Sequence, residues 1–181
     1  GKYVIHSHSV FMNILLCSEE GKDLIFEYFP NSIWVDYCTP GKDLTQSIKN
    51  SISDKPKNFE GLIFLESHGM IASASSAEKC LELHSYSNKL IKSEFNLPDF
   101  KVQNEVNFSE PKYFIFPDQA IYMSNEQISR KTKASIETIS TVKYLESNIK
   151  KLGLTLKKLS VSDVEILNNM ESEKYRKKLS K

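Results

Sequence analysis

Gly61-Leu62-Ile63-Phe64-Leu65-Glu66-Ser67-His68-Gly69-Met70-Ile71-Ala72 is the stretch whose reading decides the fold. Its first five residues form a continuous apolar run bounded by turn signals, the pattern of a strand buried on both faces in the middle of a sheet. His68 and Gly69 follow the run directly, and Met70 to Ala72 reads as the returning strand of a hairpin. A histidine is thereby placed at the end of a rigid central strand.

Upstream, Gly1-Lys2-Tyr3-Val4-Ile5-His6 reads as a strand already under way, with no cap or turn before it. Ser9 caps a helix through Val10, Met12, Ile14, Leu15 and Leu16, which Glu19, Glu20 and Gly21 end. Ile33 to Val35 is a short strand. Thr39-Pro40-Gly41 is a turn that opens a helix from about Lys42 to Ser51, with Leu44 and Ile48 inward, and residues 53–58 are a loop.

Downstream, Ser75-x-x-Glu78 is a capping box for a helix from about Ala77 to Phe95, whose core stripe includes Ala77, Cys80, Leu81, Leu83, Leu90 and Ile91. Tyr113 to Phe116 and Ala120 to Met123, separated by Pro117-Asp118-Gln119, read as two further strands. A helix from about Lys133 to Lys150 turns Ile136, Ile139, Val142, Leu145 and Ile149 to its apolar side, and Gly153 stops it. Leu154 to Leu159 is a strand or connector, and a second capping box, Ser162-x-x-Glu165, opens a last helix toward Leu179. The class is mixed α and β.

The chain has 181 residues, with 24 Lys+Arg against 23 Asp+Glu, so its net charge of +1 leaves no surplus to track a phosphate backbone. Nucleic acid is therefore not the expected partner. No apolar run approaches the roughly 18 residues of a membrane span, so no membrane insertion is expected. Cys17, Cys38 and Cys80 are odd in number and widely spaced, which suits free thiols in the reducing cytoplasm.

Two of the four histidines form His6-Ser7-His8. Strand alternation puts both imidazoles on one face, close enough to share a metal ion, and chance would give about 0.07 such pairs in a chain of this composition. His68 is the natural third donor. Three neutral imidazoles on rigid strands with one position open is what a catalytic zinc site requires. The competing reading is that His6 and His8 satisfy hydrogen bonds within a sheet. His84, mid-helix with no partner at helical spacing, reads as a surface or packing residue.

His6-Ser7-His8-Ser9, the segment from Trp34 to Leu44, and Leu65-Glu66-Ser67-His68-Gly69 followed by Glu78 together resemble the class II aldolase and adducin family, over about Tyr3 to Phe95. Phe116-Pro117-Asp118 and the ending Leu167 to Arg176 resemble its longer members. The resemblance implies a three-layer α/β/α sandwich around a mainly antiparallel sheet, with a divalent metal, most often zinc, held by His6, His8 and His68. It further implies a cyclic homotetramer and a sugar-phosphate substrate cleaved in a retro-aldol reaction through a metal-stabilised enediolate. Residues 1–100 would be the metal-site region and residues 101–181 C-terminal strands and helices packed on the same domain.

In this reading the family's acidic general base and much of its phosphate-binding wall lie upstream of Gly1, outside this chain. That leaves room for a catalytically inactive adducin-like binding module, or for an epimerase or dehydratase using the same metal. Tyr28 and Tyr37 are candidate proton donors to a leaving alkoxide, against a plain packing role. Glu66, two residues before His68, alternates onto the same face and could orient an imidazole or a metal-bound water, or be a rim carboxylate. Thr39-Pro40-Gly41 reads as a structural turn, and the basic run Lys174 to Lys181 as a solvated helix end.

Overall fold

The computed structural model describes residues 1–103 and 111–179. Strands β1 (Tyr3–Ser7), β2 (Ile33–Val35), β3 (Gly61–Leu65) and β4 (Gly69–Ala74) form one sheet in the order β1-β4-β3-β2. β3 and β4 are the expected hairpin and occupy the two central places. β4 pairs antiparallel with both β3 and β1, while β2 runs parallel to β3. The protein is thus mixed α/β around a mixed sheet with two antiparallel pairings.

Side-chain alternation divides the core. On one face Leu62, Phe64, Met70, Ala72, Ala74 and Trp34 join the larger cluster, which takes Met12, Ile14, Leu15 and Leu16 from α1 (Val10–Leu16) and Cys80 and Ile91 from α4 (Ala77–Glu94). It also takes Ile25 from α2 (Gly21–Tyr28) and Ile139, Val142, Leu145 and Ile149 from α7 (Lys133–Lys151). On the other face Ile33, Val35, Ile63 and Leu65 pack under Leu44, Ile48 and Ile52, which come from α3 (Lys42–Ser51) and its C-terminal cap. Val4 on β1, at the edge of this face, is 61% exposed. Fully buried side chains such as Phe64 each contribute about 2 to 3 kcal/mol of apolar transfer, so the sheet position of the hairpin is strongly specified.

Several local expectations are corrected. The segment from Tyr113 to Met123 contains no strand: Pro117–Tyr122 is a helix, α5. Pro117 stands in the first helical turn, where its fixed φ favours a helix start. Buried Gln119 supplies what a neighbouring strand would have supplied, accepting from Ile115 N–H at 2.8 Å and donating to Tyr113 C=O at 2.9 Å. Both predicted caps shift along the chain. Ser76, not Ser75, accepts from Lys79 N–H, and the second capping box is Ser160 with Asp163.

Leu81, placed in the core stripe, is 57% exposed because the buried face of α4 runs through Cys80, Ser87 and Ile91. The last helix is two, α8 (Val161–Asn169) and α9 (Glu171–Leu179), broken where Met170 adopts an extended conformation. Leu154 to Leu159 is a connector rather than a strand: beside an isolated bridge from Ser18 to Leu156, Glu19 N–H donates to Thr155 C=O, Lys157 N–H to Cys17 C=O and Leu159 N–H to Phe114 C=O, and Leu154 and Leu156 pack on the core. Helix α2 and the short α6 (Asn125–Arg130) were not anticipated. The final two residues of the basic run lie outside the described residues. Among those described, no helix is long and apolar enough to cross a membrane.

Candidate metal centre

His6 projects from β1 and His8 from the residue just beyond it, so alternation aims both rings the same way, with centroids 5.1 Å apart. His68 enters from the β3–β4 turn, 5.3 Å from the His6 ring and 4.8 Å from that of His8. One nitrogen from each ring falls within 4.8 Å of the others, and this is the histidine triad the sequence implied. Donors about 2.1 Å from a tetrahedral zinc stand about 3.4 Å apart, so side-chain rotations on the order of 1 Å would close the set.

The turn that presents His68 is tied down by α1. Ser67 adopts φ +49° and donates its N–H to Leu16 C=O at 2.8 Å, while Asn13 donates its side-chain amide to His68 C=O at 3.2 Å. The left-handed position falls on Ser67, leaving Gly69 a different task. A Cβ at Gly69 would stand 2.4 Å from Ser7 O and 3.1 Å from His8 Cδ2. Glycine there lets the end of β1 and the His8 ring close onto the hairpin.

Tautomers follow from the hydrogen-bond partners. His6 Nδ1 lies 3.0 Å from Met70 O, a carbonyl that can only accept, so Nδ1 carries the proton and Nε2 keeps its lone pair. His8 Nδ1 lies 2.7 Å from Asp118 Oδ2, which fixes the same tautomer by a carboxylate. A metal-ligating histidine needs this second-nitrogen partner. His68 is 8% exposed and its Nδ1 is buried without a partner. Burial, reinforced by His8 and His6, holds the His68 pKa down to about 3, and burial lowers that of His6 as well. The donor set therefore fits a divalent, imidazole-preferring ion such as zinc.

Asp118 and Arg176 are parts of the site that pattern reading missed. Asp118 Oδ1 accepts from Arg176 at 2.9 Å, Arg176 also reaches Glu173 at 2.8 Å, and its guanidinium lies 5.4 Å from the Tyr122 ring centre. The basic run read as a solvated tail thus reaches back, through one of its residues, to the carboxylate that holds His8. The signal was in the sequence as Phe116-Pro117-Asp118 and the Leu167 to Arg176 ending, without a role attached to either residue.

The three proposed catalytic residues lie apart from this cluster. Glu66 is not gathered with the histidines: its Oε1 pairs with Lys157 at 2.9 Å and its Oε2 accepts from Tyr37 N–H at 2.9 Å. The left-handed turn at Ser67 breaks the alternation that would have put Glu66 and His68 on one face. Tyr28 packs edge-on against Phe95, and burial raises the pKa of its phenol. The Tyr37 hydroxyl is buried without a partner, and burial with nearby Asp163 pushes its pKa up. His84 Nε2 lies 2.7 Å from Ser7 Oγ, behind the metal strand, a packing role as expected.

Fold and site together define a mixed α/β protein with a candidate three-histidine metal centre. No family model and no solved structure matches the chain. Over 82 residues, 45% of its length, it is 27% identical to a Bacillus subtilis (strain 168) protein named as an uncharacterized oxidoreductase, YuxG; the chain spans 12% of that protein's length.

Proposed function

We propose that this chain carries the metal site of a divalent-metal-dependent, aldolase-like lyase acting on a sugar phosphate, with His6, His8 and His68 holding zinc. The observation that carries the reading is the convergence of three imidazoles, two of them with Nδ1 already fixed by an acceptor and Nε2 free. When bound, the metal would supply the positive charge that stabilises negative charge developing beside a carbonyl as a carbon–carbon bond breaks. The chain's own residues perform the positioning. Met70 C=O and Asp118 set the two tautomers, Arg176 holds Asp118, and Gly69 admits the His8 ring.

The same reading includes a three-layer α/β/α arrangement, a homotetramer that brings a tyrosine from a neighbouring subunit, and a cytoplasmic setting. The chain spans only 12% of the YuxG relative, so the oxidoreductase name stays with that protein. The test uses the full-length protein containing this chain. Ketose phosphates should be cleaved to two carbonyl products, with activity lost on chelation, restored by zinc, and abolished by His8→Ala. Metal-dependent epimerisation or dehydration in place of cleavage would move the assignment within metal enzymes. Zinc binding with no turnover of any ketose phosphate would leave the binding-module alternative.

A further inference from the structure

A cleft of about 210 Å³ opens beside the histidine cluster, lined among others by His8, Asn13, Asp118, Glu137, Thr138 and Thr141. At about 30 Å³ per water it has room for roughly seven non-hydrogen atoms. Its charged lining besides His8 is two carboxylates, with no lysine or arginine. Asp118 is already engaged by His8 and Arg176. Among the described residues Glu137, exposed on α7, has no ion-pair partner. Asn13 is 1% exposed; its amide nitrogen serves His68 C=O, yet its side-chain oxygen is buried with no partner. A buried acceptor left unmade costs about 1 to 3 kcal/mol, so the fold retains a position that a donor-bearing ligand would satisfy.

We infer that this cleft is the subsite for the uncharged polyhydroxylated end of the substrate, and that a phosphate is excluded from it. The inference rests on the metal reading, because His8 borders both the cleft and the ion site. Hydroxyl groups both donate and accept. They can give a proton to Asn13 Oδ1 and to the Glu137 carboxylate, and exchange bonds with the Thr138 and Thr141 hydroxyls. A phosphate meets no lysine or arginine among the lining residues: Arg176 is taken up by Asp118 and Glu173, and the Glu137 carboxylate stands unpaired to repel an anion. The phosphorylated end of a sugar phosphate must therefore point away from α7, with the ion between the two ends. The cleft's size limits the hydroxylated end to three or four carbons.

The experiment compares two chelating probes on zinc-loaded protein by calorimetry. Glycolohydroxamate carries the metal-binding head alone, and erythronohydroxamate adds two hydroxylated carbons. The longer probe should bind at least about tenfold tighter, the gain expected from one or two satisfied hydrogen bonds. Thr138→Val with Thr141→Val should erase most of that gain while leaving glycolohydroxamate affinity and zinc content unchanged. Equal affinity of the two probes, or tighter binding of the 4-phosphorylated longer probe, would overturn the subsite and leave the metal reading intact.

If zinc does not bind, erythritol decides alone. Its titration should move the NMR signals of the Thr138 and Thr141 methyls and the Asn13 side-chain amide in the wild-type chain. Inorganic phosphate should not move them. The opposite pattern, or no movement with erythritol, would refute the inference independently of the metal.

Discussion

Replacing Asp118 by asparagine keeps the size of the side chain and removes one charge at the point where His8, Asp118 and Arg176 meet. In the native arrangement Oδ2 accepts from His8 Nδ1 at 2.7 Å and Oδ1 accepts from Arg176 at 2.9 Å. An amide has only one acceptor to share between these two donors. If its oxygen faces His8, its NH2 opposes the guanidinium; if its oxygen faces Arg176, its NH2 points at Nδ1. The second arrangement forces the His8 proton onto Nε2, the nitrogen a metal needs free. Loss of such a second-nitrogen partner costs about 10- to 100-fold in metal affinity, or about 1.4 to 2.7 kcal/mol.

The assay is competition for zinc against a chromophoric chelator at fixed pH and ionic strength. Thermal unfolding of the metal-free proteins serves as the control for folding. Arg176→Met should weaken zinc less than Asp118→Asn does, because it leaves the carboxylate–imidazole bond in place. A folded Asp118→Asn protein that binds zinc within about twofold of wild type would refute the positioning argument.

Gly69→Ala sets a Cβ against Ser7 O and the His8 ring, so it should cost about 1 to 3 kcal/mol in urea unfolding and weaken zinc as well; an unchanged midpoint would contradict the close approach. Gln119→Leu leaves the Ile115 N–H and Tyr113 C=O unpaired, which should destabilise by about 2 to 4 kcal/mol in the same measurement. Glu66→Gln should cost about 1 to 2 kcal/mol through Lys157 and leave zinc affinity within about twofold, separating Glu66 from the site. The bond to Glu66 raises the Lys157 pKa above its ordinary 10.5 although burial opposes it. The unfolded chain therefore loses that proton first, so the pair's stabilisation is present below pH 10.5 and lost as pH rises through the folded value. Glu66→Gln should flatten that alkaline fall.

The central hairpin and the histidine triad were legible because each rests on a local rule: a continuous apolar run for β3, period-two alternation for His6 and His8, and a turn after His68. What stayed hidden depends on contacts distant in sequence. Tyr113 to Met123 has strand-like composition, and only the buried Gln119 bonds show why a helix and a loop replace two strands. Glu66 satisfied the alternation rule, and the left-handed Ser67 cancelled it. Asp118 and Arg176 lie 110 and 168 positions from His8 in the chain, and no periodicity links residues so far apart. The structural role of Gly69, making room for another strand's histidine, likewise depends on a contact that is distant in sequence.

Zinc content of untagged protein bears most directly on the triad. Elemental analysis after dialysis against buffered zinc should give about one ion per wild-type chain and close to none for His6→Ala, His8→Ala and His68→Ala, each verified as folded by circular dichroism. Equal metal content in all four proteins would contradict the account.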